Sequence, residues 1–227
     1  MDYSENFYRT HAQRYAEVAE QLLQATYIRS SLPALTGDLA LIERLKDLVP
    51  GRRGLDAGGG AGARDVHDLW ESGYDITGID AIEENIQVSK ELHPAIADRI
   101  SVADLRNPLD FPDEFFDFVM CNSVIQHIEP ENVFGVTLGE FARVLRPRGV
   151  LQLMFKNGSG QITVYDRDYD VDRSFQLYEE NELLESLAKL GLHLVAAENP
   201  EQLGGLMYFT DPKPVDYCVF YLRKSAT

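Results

Sequence analysis

Short apolar segments alternate with helical segments along most of this chain, and this alternation constrains its fold more than any other feature. Strands are predicted at 53–57, 74–79, 100–103, 116–122, 150–155, 192–197 and 217–222. Strands linked through helices pair in parallel by right-handed crossovers, and runs that are apolar on both faces indicate a sheet covered on both sides. The pattern predicts an α/β fold with a doubly wound open sheet and helices on both faces.

The segments outside this alternation indicate a cap and a lid. Residues 1–36 are interpreted as an N-terminal helical cap, because aromatic and apolar side chains recur at helical spacing over 3–23. Residues 37–227 are assigned to one main domain. Within that domain, 157–178 is polar and aromatic without clear periodicity, which is typical of a lid over a pocket.

The charge balance limits the partners of the chain. The sequence carries 37 acidic and 21 basic residues, a formal net charge of −16. Nucleic-acid binding depends on Lys and Arg contacts to phosphates, and an acidic surface also opposes docking on anionic membranes. The two cysteines, Cys121 and Cys218, lie in apolar stretches without metal-ligand spacing. We therefore expect a cytoplasmic monomer or homodimer that binds a small molecule, without a metal, nucleic acid or membrane partner.

A glycine-rich turn follows the first strand of the alternation. The run Asp56-Ala57-Gly58-Gly59-Gly60-Ala61-Gly62-Ala63 lets the backbone turn sharply and lets a ligand approach closely. The helix behind the turn directs its N-terminal N–H groups toward a phosphate or carboxylate. Gly58, Gly60 and Ala63 also satisfy the dinucleotide fingerprint, so an NAD(P)-dependent oxidoreductase of Rossmann type is an alternative.

Three acidic residues at the ends of successive strands favour a nucleoside ligand other than a dinucleotide. Asp56 stands directly before the glycines, where a carboxylate suits a cationic amino-acid end and offers nothing to a pyrophosphate. Asp80 ends the next strand, where a carboxylate can accept both ribose hydroxyls. Asp104 ends the third strand, where it would accept a hydrogen bond from an adenine amino group. These features favour S-adenosylmethionine over a dinucleotide.

As an ordered set, these residues resemble the class I S-adenosylmethionine-dependent methyltransferases, in their small-molecule (methyltransferase type 11/25-like) branch. The matching motifs are Asp56-Ala57-Gly58-Gly59-Gly60-Ala61-Gly62, Gly78-Ile79-Asp80-Ala81, Ala103-Asp104-Leu105 and the fourth strand with its loop from Phe116 to Ile128. Leu145-Arg146-Pro147-Arg148-Gly149 resembles the turn before the fifth strand, with Arg148 where Gly is more usual. The resemblance covers roughly 40–200.

The resemblance implies a fold, a cofactor and a set of contacts. The expected fold is a Rossmann-like, mostly parallel seven-stranded sheet whose last strand, 217–222, is antiparallel. The expected cofactor is S-adenosylmethionine, with S-adenosylhomocysteine as its product. The cofactor contacts implied by the motifs are Asp56, Ala57, Gly58, Gly60, Gly62, Asp80, Ala81, Asp104, Leu105, Asn122 and Ser123. Tyr15 resembles the tyrosine that some family members place over the cofactor, and Arg29 is a further candidate for its carboxylate.

Candidate groups for the methyl acceptor lie later in the chain. His127 is the one histidine in the loop after the fourth strand and could take a proton from an acceptor hydroxyl or amine; alternatively, it packs beneath the loop. Lys156 ends the fifth strand and could pair with an anionic substrate or be solvated. Tyr165 and Arg173, in the lid, are further substrate-binding candidates. The sequence does not identify the acceptor, and a cofactor-binding module without turnover is a second alternative.

Overall fold

The computed structural model describes residues 3–22, 27–199, 201–211 and 215–226. The α-helices in this part of the chain are α1 (Tyr3–Leu22), α2 (Asp38–Leu48), α3 (Arg64–Glu71), α4 (Glu83–Leu92), α5 (Pro130–Asn132), α6 (Leu138–Val144) and α7 (Glu180–Lys189). A π-helical turn, Val133–Thr137, joins α5 to α6, and 3₁₀ turns lie at Pro94–Ile96 and Ile125–His127. None of these helices is long and apolar enough to cross a membrane.

The strands of the same residues form one large sheet and one small hairpin. They are β1 (Arg29–Ser30), β2 (Arg53–Ala57), β3 (Asp75–Asp80), β4 (Ile100–Val102), β5 (Phe116–Asn122), β6 (Leu145–Lys156), β7 (Gln161–Asp166), β8 (Val171–Gln176), β9 (Leu192–Leu194), β10 (Leu206–Thr210) and β11 (Asp216–Lys224). The large sheet has the order β1-β10-β11-β6-β5-β2-β3-β4, and β9 pairs with β11 beside that path. Strands β7 and β8 pair only with each other in the hairpin.

The strand directions confirm the predicted doubly wound sheet. Strands β4, β3, β2, β5 and β6 run parallel, and β11 runs antiparallel to β6 at the end of the chain. Nine strands are present rather than the seven implied by the resemblance. The predicted strand 192–197 ends at Leu194, because the chain leaves the sheet there and returns as β10; both segments pair with β11. The two-residue β1 adds the remaining strand at the edge.

Apolar clusters cover both faces of the sheet, as the apolar strands predicted. One face packs Phe141 of α6 and Leu187 of α7 against strand residues such as Val119. The opposite face packs Leu45 of α2 and Leu69 of α3 against the strands. Helix α1 lies outside both clusters and contributes Ala12 and Ala16 to a third, smaller one with Ala61 and Val88.

The segment interpreted as an irregular lid is an ordered hairpin. Gln161 pairs with Gln176 at one end, and Asp166 pairs with Val171 beside the turn. In β7, Ile162 and Val164 are less exposed than their neighbours, so the side chains do alternate with a period of two. Sequence inspection missed this period because the charged Asp166 and Arg173 share the less exposed positions with the apolar residues.

The parallel strands bring the predicted site residues to one edge of the sheet. Asp56 and Asp80 lie at or one residue from the carboxyl ends of β2 and β3, and Asn122 and Lys156 end β5 and β6. In open α/β sheets, ligands bind outside these carboxyl ends, where the strand order reverses. Here the order reverses between β2 and β5, which are adjacent in the sheet and lead outward in opposite directions.

Close packing between β2 and β5 gives a first prediction, on stability. A Cβ at Gly54 would lie 2.0 Å from the Phe118 ring, whereas a Cβ at Gly139 of α6 would meet nothing within 4 Å. Gly54→Ala should therefore lower the free energy of unfolding by about 1–3 kcal/mol through overpacking. Gly139→Ala, the matched control, should raise it by up to about 1 kcal/mol through better helix propensity. Urea denaturation measures both, and equal midpoints for the two variants would contradict the packing.

Candidate functional site

The glycine turn after β2 adopts a backbone that depends on glycine. Gly58, Gly60 and Gly62 have φ values of +100°, +63° and +97°. The N–H groups of Gly58 and Gly59 donate to the carbonyl of Ile79, at 2.8 and 3.0 Å. A Cβ at Gly60 would lie 2.8 Å from the Tyr15 ring. The turn is therefore fixed to β3 from one side and covered by α1 from the other.

Asp80 fixes two turns with one carboxylate. One oxygen accepts from the Gly60 N–H at 3.0 Å, and the other accepts from the Ile82 N–H at 2.8 Å and from Asn85 Nδ2 at 3.1 Å. Burial raises the pKa of this carboxyl above its usual value, against the opposing effect of these hydrogen bonds. Asp80 thus holds the glycine turn and the start of α4 in place beside a cavity.

Asp104 is held by an arginine that the sequence analysis did not consider. Arg106 Nε lies 3.0 and 2.9 Å from the two Asp104 oxygens, and Arg106 Nη2 reaches Asp104 at 2.7 Å and Glu5 of α1 at 2.6 Å. Burial raises the pKa of Asp104, but the hydrogen bonds from Arg106 outweigh it, and the net pKa is lowered. The ion-pair chain ties α1 to the end of β4.

Two adjoining cavities lie over this edge of the sheet. The first is bordered by Asp80, Ala81, Asp104 and Leu105. The second is bordered by Asp56, Lys156 and Arg173. The residues common to both linings are Tyr8, Tyr15, Gly58, Asn122, Ser123 and His127. The shared wall means that a ligand in one cavity can reach a ligand in the other.

His127 lies at the junction of the cavities and is enclosed by hydroxyl groups of α1. Its Nδ1 is 2.7 Å from Ser4 Oγ, and its Nε2 is 3.1 Å from Tyr8 Oη. Burial, reinforced by the charges of Arg173 and Lys156, lowers the pKa of the imidazole well below 6.5. The imidazole is therefore neutral at pH 7. Both interpretations of His127 are compatible with this geometry, because the ring packs against α1 and also faces the cavities.

Arg173 links the hairpin to α1 across the second cavity. Its Nη1 donates to Asp166 at 2.9 Å and its Nη2 donates to Tyr8 Oη at 2.6 Å. The guanidinium also lies 4.1 Å from the centroid of the Phe7 ring. The arginine is thus neutralised by a fully buried carboxylate and positioned by aromatic rings.

Lys156 is buried among aromatic rings, so the expectation of a solvated lysine is wrong. Its side chain is 3% exposed, and its Nζ donates to the Tyr217 hydroxyl. The ammonium lies 4.0 Å from the Tyr217 ring centroid and 4.5 Å from that of Phe175. Burial raises the pKa of Tyr217 well above 10, as does its hydrogen bond with Asp211.

Asp56 lies in the wall of the second cavity, directly behind the glycine turn. Its side chain is buried, and a Cβ at Gly59 would meet its Oδ2 at 3.1 Å. Burial raises the pKa of the carboxyl well above its usual value, and the neighbouring Asp65 raises it further. Arg64 opposes both effects. A cationic group in the cavity would stabilise the ionised form of this carboxylate.

Two glutamines in the second cavity were missed by the sequence analysis. Gln126 and Gln152 are 3% and 0% exposed, and the side-chain carbonyl oxygen of each has no hydrogen-bond partner among the residues that the structure describes. The amide nitrogen of Gln152 donates to Asn122 Oδ1 at 3.0 Å. The polar Gln152 inside the apolar run 150–155 of β6 was the available signal in the sequence.

Four predicted site residues lie away from the cavity walls. Arg29 is exposed on β1, at the edge strand beside β10. Tyr165 is 55% exposed and donates to Asp170 within the hairpin. Ala57 is fully buried in β2, and Gly62 is buried behind the turn, where its N–H donates to Ser89 Oγ at 2.9 Å. The structure brings the other predicted residues together around the two cavities.

The sequence and the structure were compared with known proteins. A family model described as a methyltransferase domain matches residues 55–153. The 2-methyl-6-phytyl-1,4-hydroquinone methyltransferase of Synechocystis sp. is 31% identical over 107 residues, which are 47% of this chain and 33% of that protein. The chain therefore spans about a third of the length of this curated relative.

Solved structures share the fold over nearly the whole chain. The 1,6-didemethyltoxoflavin N1-methyltransferase of Burkholderia thailandensis, solved with S-adenosylhomocysteine, has a TM-score of 0.64 and 19% identity over 97% of this chain and 87% of its own. The TehB-like methyltransferase of Corynebacterium glutamicum has a TM-score of 0.63 and 21% identity, over 95% and 99% of the two chains. The [4+2]-cyclase SpnF has a TM-score of 0.68 and 16% identity, over 99% and 96%.

These findings agree with the motifs identified in the sequence. The family match includes the glycine turn, Asp80, Asp104 and the loop at His127. The resemblance and the Rossmann-like fold are thereby confirmed. Residues 55–153 match a methyltransferase domain, and the chain is similar to the class I S-adenosylmethionine-dependent methyltransferases.

Proposed function

We propose that this chain transfers the methyl group of S-adenosylmethionine to a small molecule bound in the second cavity. The observation that carries the proposal is the shared wall of the two cavities. The first cavity has the acidic strand ends expected for a nucleoside, and the second has buried aromatic and polar groups suited to a small acceptor. Methyl transfer requires the two ligands to meet in line, and the junction at Asn122, Ser123 and His127 allows that meeting.

The residues around the first cavity fit the cofactor. The glycine turn leaves room where a Cβ would collide with its neighbours, and Asp80 retains oxygen lone pairs for the ribose hydroxyls beside its backbone contacts. Asp56, in the adjoining wall of the second cavity behind the glycine turn, would favour the cationic amino-acid end, and Leu105, in the first cavity, would border the adenine. When bound, the cofactor supplies an electrophilic methyl group on a sulfonium. The protein supplies binding, orientation and exclusion of water.

A chain of hydrogen bonds determines how His127 can handle a proton. Arg173 donates to the Tyr8 oxygen, so the Tyr8 hydroxyl hydrogen is available to His127 Nε2. Nδ1 then carries the ring hydrogen and donates to Ser4 Oγ. An acceptor hydroxyl or amine that displaced the Tyr8 hydroxyl would face the basic Nε2. We propose that His127 receives the acceptor's proton at this atom.

A second candidate function is cofactor binding without methyl transfer. It is favoured by the likeness to the [4+2]-cyclase SpnF, because one fold can carry different reactions. The oxidoreductase alternative requires a dinucleotide in place of S-adenosylmethionine. A titration separates the cofactors, and product analysis with acceptor compounds separates methyl transfer from binding alone.

We also propose that α1 and the β7–β8 hairpin form the cover of the site. Three contacts support this role: Tyr8 with His127, Arg173 with Tyr8, and Arg106 with Glu5. Phe7 of α1 also packs edge to face on Tyr169 of the hairpin turn, with centroids 4.8 Å apart. A ligand the size of the cofactor enters more readily if these contacts open.

The second prediction concerns cofactor binding. Isothermal titration calorimetry should detect S-adenosylhomocysteine binding and no comparable binding of NAD. Asp80→Asn should weaken S-adenosylhomocysteine binding by tenfold or more, since a charge-assisted hydrogen bond contributes about 1.5–3 kcal/mol. Asp75→Asn, at the exposed start of the same strand, is the matched control and should leave affinity unchanged. Tight NAD binding without response to the sulfur nucleoside would overturn the proposed function.

The third prediction is a pH dependence of stability. The folded pKa of His127 lies well below its unfolded value of about 6.5, so the unfolded state binds more protons and stability falls as pH drops below about 6.5. Between pH 7.5 and 5.5 the wild type should lose on the order of 1 kcal/mol more than His127→Gln. His193→Gln, at an exposed histidine, should keep the wild-type slope. Urea denaturation across this range would contradict the prediction if His127→Gln also kept it.

The fourth prediction tests the cover. Hydrogen exchange in residues 3–22 and 161–176 should slow when S-adenosylhomocysteine binds, because the closed contacts become more populated. Helix α7 packs in the apolar cluster on one face of the sheet, borders neither cavity, and is the internal control that should not change. If both segments are equally protected from hydrogen exchange in the empty and the bound protein, they form a static wall and the cover is contradicted.

A further inference from the structure

The second cavity contains two buried hydrogen-bond acceptors that the folded chain leaves unused. The carbonyl oxygens of Gln126 and Gln152 have no partner, and both side chains are at least 97% buried. An unmade hydrogen bond at a buried polar group costs roughly 1–3 kcal/mol, and native structures contain few such groups. Both residues line the second cavity, so a molecule in that cavity can supply the missing donors.

The two cations on the hairpin side of the same cavity are already compensated by the protein. Arg173 is paired with Asp166. Lys156 donates to Tyr217, which is in turn hydrogen-bonded with Asp211. Around the hairpin side of the cavity, two cationic side chains are thus accompanied by two carboxylates. An anionic substrate would add an unbalanced charge to this buried arrangement, whereas a neutral one would not.

Aromatic rings define the shape of the remaining space. Phe175, Tyr217 and Tyr169 all line the second cavity, and Lys156 lies against the first two of these rings. Flat aromatic walls complement a planar ligand by stacking or edge contacts. The cavity therefore combines aromatic walls, two compensated cations and two amide acceptors.

We infer that the methyl acceptor is a neutral, planar molecule whose N–H or O–H groups are bound by Gln126 and Gln152. The inference rests on the proposed function and narrows its substrate class. The anion-binding role that the sequence left open for Lys156 is replaced by a role for Lys156 and Arg173 in shaping the cavity wall.

The ligand test uses three sets of probes and the S-adenosylhomocysteine-saturated protein. The donor-bearing probes are lumazine and 1,5-dihydroxynaphthalene; the donor-free probes are 1,3-dimethyllumazine and 1,5-dimethoxynaphthalene; the anionic probe is 2-naphthoate. Saturation-transfer NMR and calorimetry should show the donor-bearing probes binding roughly three- to tenfold more tightly than their methylated partners, the loss expected for one or two neutral hydrogen bonds. Equal binding within the pairs, or preference for 2-naphthoate, would overturn the inference.

The residue test uses Gln126→Met, which removes the amide while keeping its length. This variant should abolish most of the donor preference and should raise the thermal midpoint, because an unpaired buried acceptor is removed. Gln87→Met, at an exposed glutamine of α4, is the matched control and should change neither probe binding nor the donor preference. A destabilised Gln126→Met with intact donor preference would show that the amide has only a structural role.

A separate measurement distinguishes failure of this inference from failure of the proposed function. Wild type and Gln126→Met should bind S-adenosylhomocysteine with the same affinity. If neither binds it, the proposed function fails. If Gln126→Met binds it tenfold more weakly than wild type, the amide belongs to the cofactor site and the inference about the acceptor is wrong, while the cofactor assignment stands.

Discussion

The carboxylate of Asp80 holds together the two loops on which the whole site depends. It lies at the end of β3, and its hydrogen bonds to Gly60 and to Ile82 join the glycine turn after β2 to the start of α4. The turn itself is bound to the backbone of β3 through Ile79. Since parallel pairing of β2 with β3 fixes where both strands end, sheet register and loop geometry are set together. This network of hydrogen bonds holds the glycines of the turn in their positive-φ conformations.

Most of the central fold could be predicted from the sequence because the signals there are local. Strand β2, the glycine turn and the acid ending β3 each carry a pattern that a few neighbouring residues define. Hairpin β7–β8 was missed because its less exposed positions include the charged Asp166 and Arg173. The outer strand was predicted too long because the chain leaves the sheet after β9 and returns only at β10. Strand pairing between distant segments leaves no local trace in the sequence.

The residues of the site were predictable where a local sequence pattern defines them, as in the central fold. Asp80 and Asp104 are placed by strand ends, but Arg106 and Glu5 meet Asp104 only because α1 folds back over β4. Arg29 was a candidate for the cofactor carboxylate, yet it lies on an edge strand. Gln126 became visible only through burial, which sequence spacing alone does not report, whereas Gln152 stood out as a polar residue in an apolar run.

The second cavity and its border contain buried polar groups that lower the stability of the fold, and this points to ligand binding. A core formed only for stability would pair or remove the unused carbonyls of Gln126 and Gln152. It would also not bury a histidine so that the pKa of its imidazole falls well below the usual value. The glutamines line the second cavity and His127 lies at its junction with the first, whereas apolar clusters fill both faces of the sheet. Local departures from optimal packing are expected at functional sites, where the surrounding fold must compensate for them. The apolar core therefore supports a polar pocket whose unpaired hydrogen-bond acceptors select the methyl acceptor.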